Sequence, residues 1–307
     1  MVTFDQAVET FMLSNKAEGL ARSTLKWYES VLGQLQARFS GRDLDAVSAN
    51  DMRAYFAALR DAPTRYQNAP QRAELSGGLS NETLRGRHKG LKRFWSWCAL
   101  EYRIVSPMLN IRAPQATKQA PKAAALDDLR RLIQVASVRD RAILFMLADT
   151  GIRAGGLVGL RLDDLNLDRR IAIVTEKGGK SRSVAFLPIT GETISTWLAI
   201  RPAGGNTVFC GRYGAALAVN SLNQAFGRLK KRAGVDGRVN PHSFRHFFAR
   251  EYIQNGGDLA SLTHLMGHSS SLVTTNYYAV FQTEELQAKH DRHSPIRNLG
   301  GISDNLQ

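Results

Sequence analysis

Residues 169–188, RRIAIVTEKGGKSRSVAFLP, decide the class of fold. Two runs rich in strand-forming residues flank the pair Gly178-Gly179, and this pattern predicts a β-hairpin with a tight turn. The surrounding sequence instead places its apolar residues at helical spacing. These helical segments are residues 126–137, 139–151, 221–234, 242–254, 258–267 and 284–293. The sequence therefore predicts a mainly α-helical chain that contains a small antiparallel β-sheet.

Helical patterns also dominate the first third of the chain. In residues 20–39 apolar side chains recur at helical spacing, and Ser23 is the predicted N-cap. Ser48 begins a second segment of the same kind, and a third helix is predicted within residues 79–103. The tract 61–78 between these two helices is predicted to be a loop.

Residues 106–125, SPMLNIRAPQATKQAPKAAA, have the composition of a linker between domains, because they combine three prolines with small and polar residues. A length of 307 residues is also typical of about two domains. We therefore predict a helical domain at residues 1–110, a linker at 111–122, a second domain at 123–293 and a C-terminal tail at 294–307.

The charge balance favours nucleic acid as the partner. The net charge is +14 and the pI is about 10.1. Residues 1–115 contain 16 basic and 11 acidic side chains, and residues 116–307 contain 25 and 16. Positive charge on both parts indicates contact with a polyanion along the whole molecule. A membrane surface is the competing polyanion, but no lipidation signal or basic amphipathic anchor is visible in the sequence.

Other patterns argue against several classes of protein. The longest apolar run, Ala142–Ala148, is far shorter than the ~20 residues that a membrane-spanning helix needs. The first residues carry acidic side chains and no basic segment, so no secretion signal is predicted. Cys98 and Cys210 form neither a disulfide framework nor a metal-ligand cluster. We therefore expect a cytoplasmic protein with no membrane partner.

One predicted helix of the first domain has a basic face. Arg85, Lys89, Lys92 and Arg93 recur at helical spacing. Another face of the same helix is apolar and consists of Leu84, Leu91, Phe94, Trp95 and Cys98. A basic helix face can lie along the phosphates of DNA, so the four basic residues are candidate DNA-binding residues. An ordinary solvated helix face is the alternative interpretation.

Four short motifs in the second domain carry residues suited to phosphodiester chemistry. They are DTGIR at 149–153, KGGK at 177–180, PHSFRH at 241–246, and MGH followed by TTNYY within 266–278. Arginine binds phosphate oxygens through two parallel hydrogen bonds, as charge stabilisation in phosphoryl transfer requires. Tyrosine is a covalent nucleophile, but its pKa of about 10 means that a neighbouring base or positive charge must promote its ionisation.

Metal and nucleotide sites are not predicted. His242 and His246 are four residues apart, as are His264 and His268, which is the spacing of metal ligands on a helix. No carboxylate third ligand accompanies either pair, so His246 and His264 are predicted to be structural. The chain also has no GxxxxGK[ST] phosphate loop.

Taken in order, four segments resemble the tyrosine site-specific recombinases, a family that includes phage integrases and Xer-type recombinases. They are TGIRAGGLVGLRLDDLNL (150–167), EKGGKSRSVAFLP (176–188), PHSFRHFFAR (241–250) and LMGHSSSLVTTNYYAV (265–280). Residues 78–111 also look like the end of that family's helical core-binding domain, so the resemblance covers nearly the whole chain. It implies an N-terminal SAM-like core-binding domain and a C-terminal catalytic domain.

The resemblance implies roles for individual residues. Arg153 and Arg245 match the two arginines that clamp the scissile phosphate. His242 matches a general acid/base, and His268 matches a histidine or tryptophan that hydrogen-bonds the phosphate.

The lysine and the nucleophile each leave an alternative open. Lys177 matches the lysine that protonates the leaving 5′ oxygen, and Lys180 takes its place if the register of the hairpin differs. Counting from the last histidine selects Tyr277 as the nucleophile. Counting from the preceding Thr-Thr pair selects Tyr278, which we choose because that pair and the tyrosine share one local segment.

The activity implied by the resemblance is cleavage and rejoining of double-stranded DNA at specific sites. It proceeds through a 3′-phosphotyrosyl intermediate and a Holliday junction, and it uses no metal, ATP or other cofactor. The family acts as a homotetramer on paired sites, and accessory directionality factors can take part. Residues 288–307, AKHDRHSPIRNLGGISDNLQ, are expected to dock a helix onto a neighbouring protomer.

The residues that follow Arg153 bear on the biological role. The family has a Ser-Glu pair after its first arginine, whereas Gly155 and Gly156 stand here. This departure favours integration or excision of a mobile element. The alternatives are an Xer-type resolvase, a type IB topoisomerase-like enzyme that relaxes DNA, and a non-catalytic DNA-binding regulator on the same fold.

Overall fold

The computed structural model describes residues 1–65, 74–115, 123–175, 179 and 181–267. The chain divides into two compact units, Met1–Gln119 and Ala120–Gln307. Both units are mainly helical with small antiparallel sheets, which confirms the predicted class of fold. The finer domain boundaries, including the tail at 294–307, stay predictions.

The described part of the first unit contains helices and one short pair of strands. The helices are α1 (Phe4–Ala17), α2 (Arg22–Phe39), α3 (Ala49–Asp61) and α4 (Asn81–Glu101). The strands β1 (Thr64–Arg65) and β2 (Leu75–Ser76) pair antiparallel at the ends of the tract that was predicted to be a loop. No sequence pattern indicates these strands, because each is only two residues long.

Side-chain caps explain where most of these helices begin. The hydroxyl groups of Thr3, Ser48 and Ser80 each accept a backbone N–H of the following first turn. The prediction of Ser23 as the cap of α2 is wrong. The cap position is Ala21, whose backbone carbonyl accepts the amides of the first turn of α2 without any side-chain cap.

Aromatic rings fill the core of the first unit. Phe94 of α4 lies edge-on to Phe4 and Phe11 of α1, with ring centroids 5.6 and 5.3 Å apart. Such pairs add about 0.5–1.5 kcal/mol each to the burial of their surface. The apolar face predicted for α4 is fully buried, and all of it except Leu84 belongs to this core. The opposite side of α4 is therefore the side that faces solvent.

The second unit contains a longer series of elements. These are α5 (Leu126–Val135), α6 (Val138–Thr150), α7 (Ala154–Gly159), β3 (Leu165–Asn166), β4 (Ile171–Thr175), β5 (Ser181–Ala185), α8 (Pro188–Ala199), α9 (Val219–Arg232), α10 (Pro241–Gln254) and α11 (Leu259–Met266). Helix α6 lies in the centre, packed against both α8 and α10. Its apolar residues occur all round the helix, as expected of a helix covered on every side.

The sheet of the second unit has the strand order β3-β4-β5, and both pairs are antiparallel. Ala172 and Val174 of β4 and Val184 of β5 point into the core, in the alternation that the sequence predicts. The two strands of the predicted hairpin, β4 and β5, are thus present and paired. The lysines of its turn, Lys177 and Lys180, lie outside the described residues. Strand β3 was not predicted.

None of the helices within the described ranges is long and apolar enough to cross a membrane. The helix predicted at 284–293 lies outside the described residues.

Candidate active site

The turn between α6 and α7 carries Arg153. Gly151 ends α6 with φ +58°, a left-handed conformation that favours glycine. A Cβ atom at this position would also lie 2.5 Å from Cδ1 of Phe248 on α10, which is too close for any side chain. Glycine is therefore required here both by the backbone angle and by the close approach of α10.

Local hydrogen bonds set the path from Gly151 to Arg153. Thr150 Oγ1 donates to the Met146 carbonyl and accepts the Ile152 amide. Ile152 is completely buried in the core of the unit. Arg153 follows as the N-cap residue of α7, in extended conformation. The buried residue before it and the helix after it thus fix the backbone of Arg153.

Arg153 is half-buried, and its position is electrostatically unfavourable for a cation. Burial is the main factor that lowers the pKa of its guanidinium, and the positive charge of Arg182 on β5 lowers it further. Burial also lowers the pKa of Arg182. Two partly desolvated guanidinium groups that act on each other make a region that favours a bound anion such as phosphate.

Arg245 connects the segments of the site. It lies on α10, whose N-terminus is fixed by a capping box between Asn240 and Ser243. The Arg245 side chain is only 4% exposed. Its Nη1 donates to the Gly151 carbonyl at 2.6 Å, and its Nη2 donates to the Met266 carbonyl at the end of α11. One guanidinium therefore joins α10 to the Arg153 turn and to the segment that leads into residue 268.

His242 lies exposed in the first turn of α10, three residues before Arg245. The structure thus places the two side chains on neighbouring positions of one helix, as the sequence spacing predicts. His246 is half-buried one turn further along. Burial lowers the pKa of His246, and the nearby charges of His242 and Arg245 lower it further, so its surroundings favour the neutral imidazole.

The structure brings together Arg153, His242 and Arg245 of the predicted catalytic set. The other members, Lys177, His268 and Tyr278, lie outside the described residues, as do the alternatives Lys180 and Tyr277. Of the two glycines that stand in place of the family's Ser-Glu pair, Gly155 is exposed. A Cβ atom at Gly155 would meet nothing within 4 Å.

Two residues near this site were not predicted from the sequence. Arg182 occupies a position of β5 on the same side as the buried Val184, and a charged residue in an inward position is a signal that could have revealed it. Asp149 accepts hydrogen bonds from Leu187 and Thr190, which lie 38 and 41 residues ahead. No sequence pattern connects residues so far apart.

The predicted basic face of α4 is present in the first unit. Arg85, Lys89, Lys92 and Arg93 are all exposed, and they line one groove of about 620 Å³. The groove is also lined by Glu82, Gly86, His88, Ser96 and Ala113. His88 was not among the predicted residues; its Nε2 lies 2.8 Å from the Ile111 carbonyl, which holds the chain before Ala113 against α4.

Across the described parts of both units, no three His, Cys, Asp or Glu side chains lie close enough together to hold a metal ion.

Known proteins are similar to this chain in sequence. The model of the phage integrase family matches residues 122–284. A tyrosine recombinase XerC of Xanthomonas campestris pv. campestris (strain B100) is 32% identical over 232 residues, which cover 73% of this chain and 71% of the relative. A tyrosine recombinase XerC of Xylella fastidiosa (strain M23) is 29% identical over 292 residues, which cover 93% and 95%.

Solved structures show the same fold. An integrase of the transposon Tn1549, in complex with a circular intermediate DNA, superposes with a TM-score of 0.75 at 19% identity and covers 95% of this chain and 100% of its own. A lambda integrase tetramer bound to a Holliday junction gives a TM-score of 0.70 at 17% identity, with coverage of 88% and 79%. The family match over more than half of the residues identifies the chain as a member of the phage integrase family, a tyrosine recombinase that cleaves and rejoins DNA.

Proposed function

We propose that this chain is a site-specific recombinase that integrates or excises a mobile element through a 3′-phosphotyrosyl intermediate. The observation that carries the proposal is the position of Arg245. Its buried guanidinium holds the turn of Arg153 and the end of α11 against α10, the helix that also carries His242. Two elements distant in sequence, α10 and the turn between α6 and α7, thereby present two arginines and a histidine in one place, with the end of α11 held beside them.

The proposed reaction uses each residue for one task. The Tyr278 hydroxyl attacks the scissile phosphorus, and His242 accepts the proton of that hydroxyl. Arg153 and Arg245 stabilise the negative charge that accumulates on the phosphate oxygens. The bond to the 5′ oxygen breaks, and Lys177 donates a proton to this leaving oxygen. His268 hydrogen-bonds the phosphate. The 5′ hydroxyl of a partner duplex then reverses these steps.

The first unit is proposed to bind the recombination site. The basic side chains of the α4 groove are exposed and point to the same surface, as contacts to successive phosphates require. The carboxylate of Glu82 at one end of the groove repels phosphate and can accept a hydrogen bond from cytosine.

The proposed assembly is a homotetramer on two paired DNA sites that passes through a Holliday junction. The lambda integrase, which has the same fold, is a tetramer on such a junction in its solved structure. The Tn1549 integrase, which belongs to a transposon, supports the mobile-element role. The XerC relatives favour the second candidate, an Xer-type resolvase acting on a chromosome or plasmid.

Trapping on nicked suicide substrates tests the chemistry. The substrate carries a candidate core site, and the parent is compared with Tyr278→Phe and Tyr277→Phe. We expect a covalent protein–DNA adduct that is lost only in Tyr278→Phe. Loss only in Tyr277→Phe would overturn the choice of nucleophile. Specific binding without any adduct from the parent would favour the non-catalytic regulator, and relaxation of supercoiled DNA without paired sites would favour the topoisomerase.

A truncation tests the assembly. Removal of the residues after His293 is expected to abolish cooperative pairing of two sites while leaving cleavage of one site intact. Unchanged cooperativity would contradict docking of the tail onto a neighbouring protomer.

A further inference from the structure

Asp149 links two parts of the second unit that carry the proposed chemistry. It is the penultimate residue of α6. Its Oδ2 atom accepts hydrogen bonds from the Leu187 amide and from the Thr190 hydroxyl, both at 2.7 Å. Thr190 is completely buried, and Asp149 itself is half-buried. Charge-assisted hydrogen bonds in such surroundings are among the stronger ones in a protein.

The segment that Asp149 holds is the junction between β5 and α8. Leu187 is the N-cap residue of α8, and its side chain offers no cap to the helix. Pro188 follows and has no N–H to donate. The Asp149 carboxylate binds the amide of this N-cap residue and the hydroxyl of Thr190 in the first turn, and its negative charge is favourable at a helix N-terminus. The junction is therefore anchored from α6.

On its C-terminal side, Asp149 is followed directly by the Arg153 turn. Thr150 and Gly151 follow it, and the Gly151 carbonyl accepts the hydrogen bond of Arg245. The turn is thus held from one side by α10 and from the other side by the β5–α8 junction. Strand β5 also carries Arg182, whose charge lowers the pKa of Arg153.

We propose that Asp149 is a positioning residue for DNA cleavage. Its two hydrogen bonds hold the turn of Arg153 at a fixed place relative to the strand that carries Arg182, against the mutual repulsion of the two guanidinium groups. This inference rests on the proposed role of Arg153 at the scissile phosphate. A displacement of about 1 Å at a reacting centre is enough to slow an enzyme by about a hundredfold, so a bond of this kind affects rate without touching DNA.

Asp163→Ala is the matched control for Asp149→Ala. Asp163 is a second carboxylate of the same unit that bridges distant segments, since it accepts a 2.7 Å hydrogen bond from Asn206. Both variants lose one negative charge and therefore have the same net charge. Asp149→Asn is the rescue variant, because its amide oxygen can still accept both hydrogen bonds.

The experiment measures DNA affinity and, at saturating DNA, the rate of adduct formation on a nicked suicide substrate. Asp149→Ala is expected to cleave about 10–100-fold more slowly than Asp163→Ala at similar affinity, and Asp149→Asn is expected to recover most of the rate. Equal rates for the two alanine variants would overturn the proposal. An asparagine variant as slow as the alanine variant would also overturn it.

Amide hydrogen exchange separates this inference from the proposed function. Faster exchange across residues 150–154 and 186–191 in Asp149→Ala than in Asp163→Ala is expected, and unchanged exchange would refute the link. If the parent forms no adduct, the proposed function fails, and the exchange comparison still decides whether Asp149 holds the turn. Should Asp149→Ala not fold, Thr190→Val replaces it, since it removes one of the two hydrogen bonds.

Discussion

The basic face of α4 and the Arg153–Arg245 site are two cationic surfaces built in opposite ways. The side chains of the α4 face come from one helix, are exposed, and share a groove. The guanidinium of Arg245 is buried, and its bonds reach residues 94 and 21 positions away in the chain. A face of a helix can lose a charge without structural consequence, whereas the buried site depends on one side chain for its shape and, in the proposed reaction, also for its chemistry.

Replacement of Arg245 by lysine has the largest expected effect. A lysine ammonium cannot span the Gly151 and Met266 carbonyls in the planar geometry of a guanidinium. We expect adduct formation to fall by roughly a thousandfold, because both charge stabilisation and the placement of Arg153 are lost. We also expect a decrease of about 3 kcal/mol in the free energy of unfolding, measured by urea denaturation, because buried partners lose their hydrogen bonds.

Arg153→Lys is the control for that double effect. Arg153 is half-buried at the N-cap of α7, so its replacement should slow cleavage while changing the free energy of unfolding by less than about 1 kcal/mol. If Arg245→Lys were as stable as Arg153→Lys, the contrast between the two arginines would fail.

Removal of the charges on the basic face of α4 tests the other of the two surfaces. Replacing Arg85, Lys89, Lys92 and Arg93 by glutamine should weaken DNA binding roughly a hundredfold at moderate salt. The slope of log affinity against log salt concentration should fall by about 0.9 for each phosphate that the variant no longer neutralises. The melting temperature should not change, because all four side chains are exposed.

A double variant outside the groove serves as the control for DNA binding. Lys16 and Arg38 are exposed on α1 and α2 and do not line the groove. Their replacement by glutamine should change the salt slope less per charge removed than the α4 variant does. Equal changes would mean that the first unit attracts DNA by net charge alone.

The same contrast explains how much could be predicted from the sequence. Both faces of α4 follow from helical periodicity, which is a local property, and the strands of the β4–β5 hairpin follow from local alternation around Gly178-Gly179. The clustering of Arg153 with Arg245 came from the resemblance to a family and not from any local pattern. The Asp149 link was not predicted, because hydrogen bonds across 38 residues depend on how α6 packs against α8.

Two glycines in and after the Arg153 turn, Gly151 and Gly155, are expected to change the free energy of unfolding in opposite directions when each is replaced by alanine. Gly151→Ala must adopt φ +58° and place its Cβ against Phe248, so we expect it to lower the free energy of unfolding by about 2–3 kcal/mol. Gly155→Ala has open space within helix α7 and should raise it by about 0.5–1 kcal/mol. Denaturant unfolding measures both. Equal effects would show that the close approach of α10 does not constrain the turn.

The smallest expected effect concerns the pH dependence of stability near Arg245. Burial lowers the pKa of His246 in the native state, so the unfolded chain binds its proton more readily. Stability should therefore fall as the pH decreases below about 6.5, the pKa of an unperturbed histidine, towards the lower native pKa. His246→Gln should reduce this slope in urea denaturation between pH 8 and pH 5. If His246→Gln and the parent showed an identical slope, the surroundings of Arg245 would be as accessible to water as the exposed face of α4, and the comparison between the two surfaces would fail.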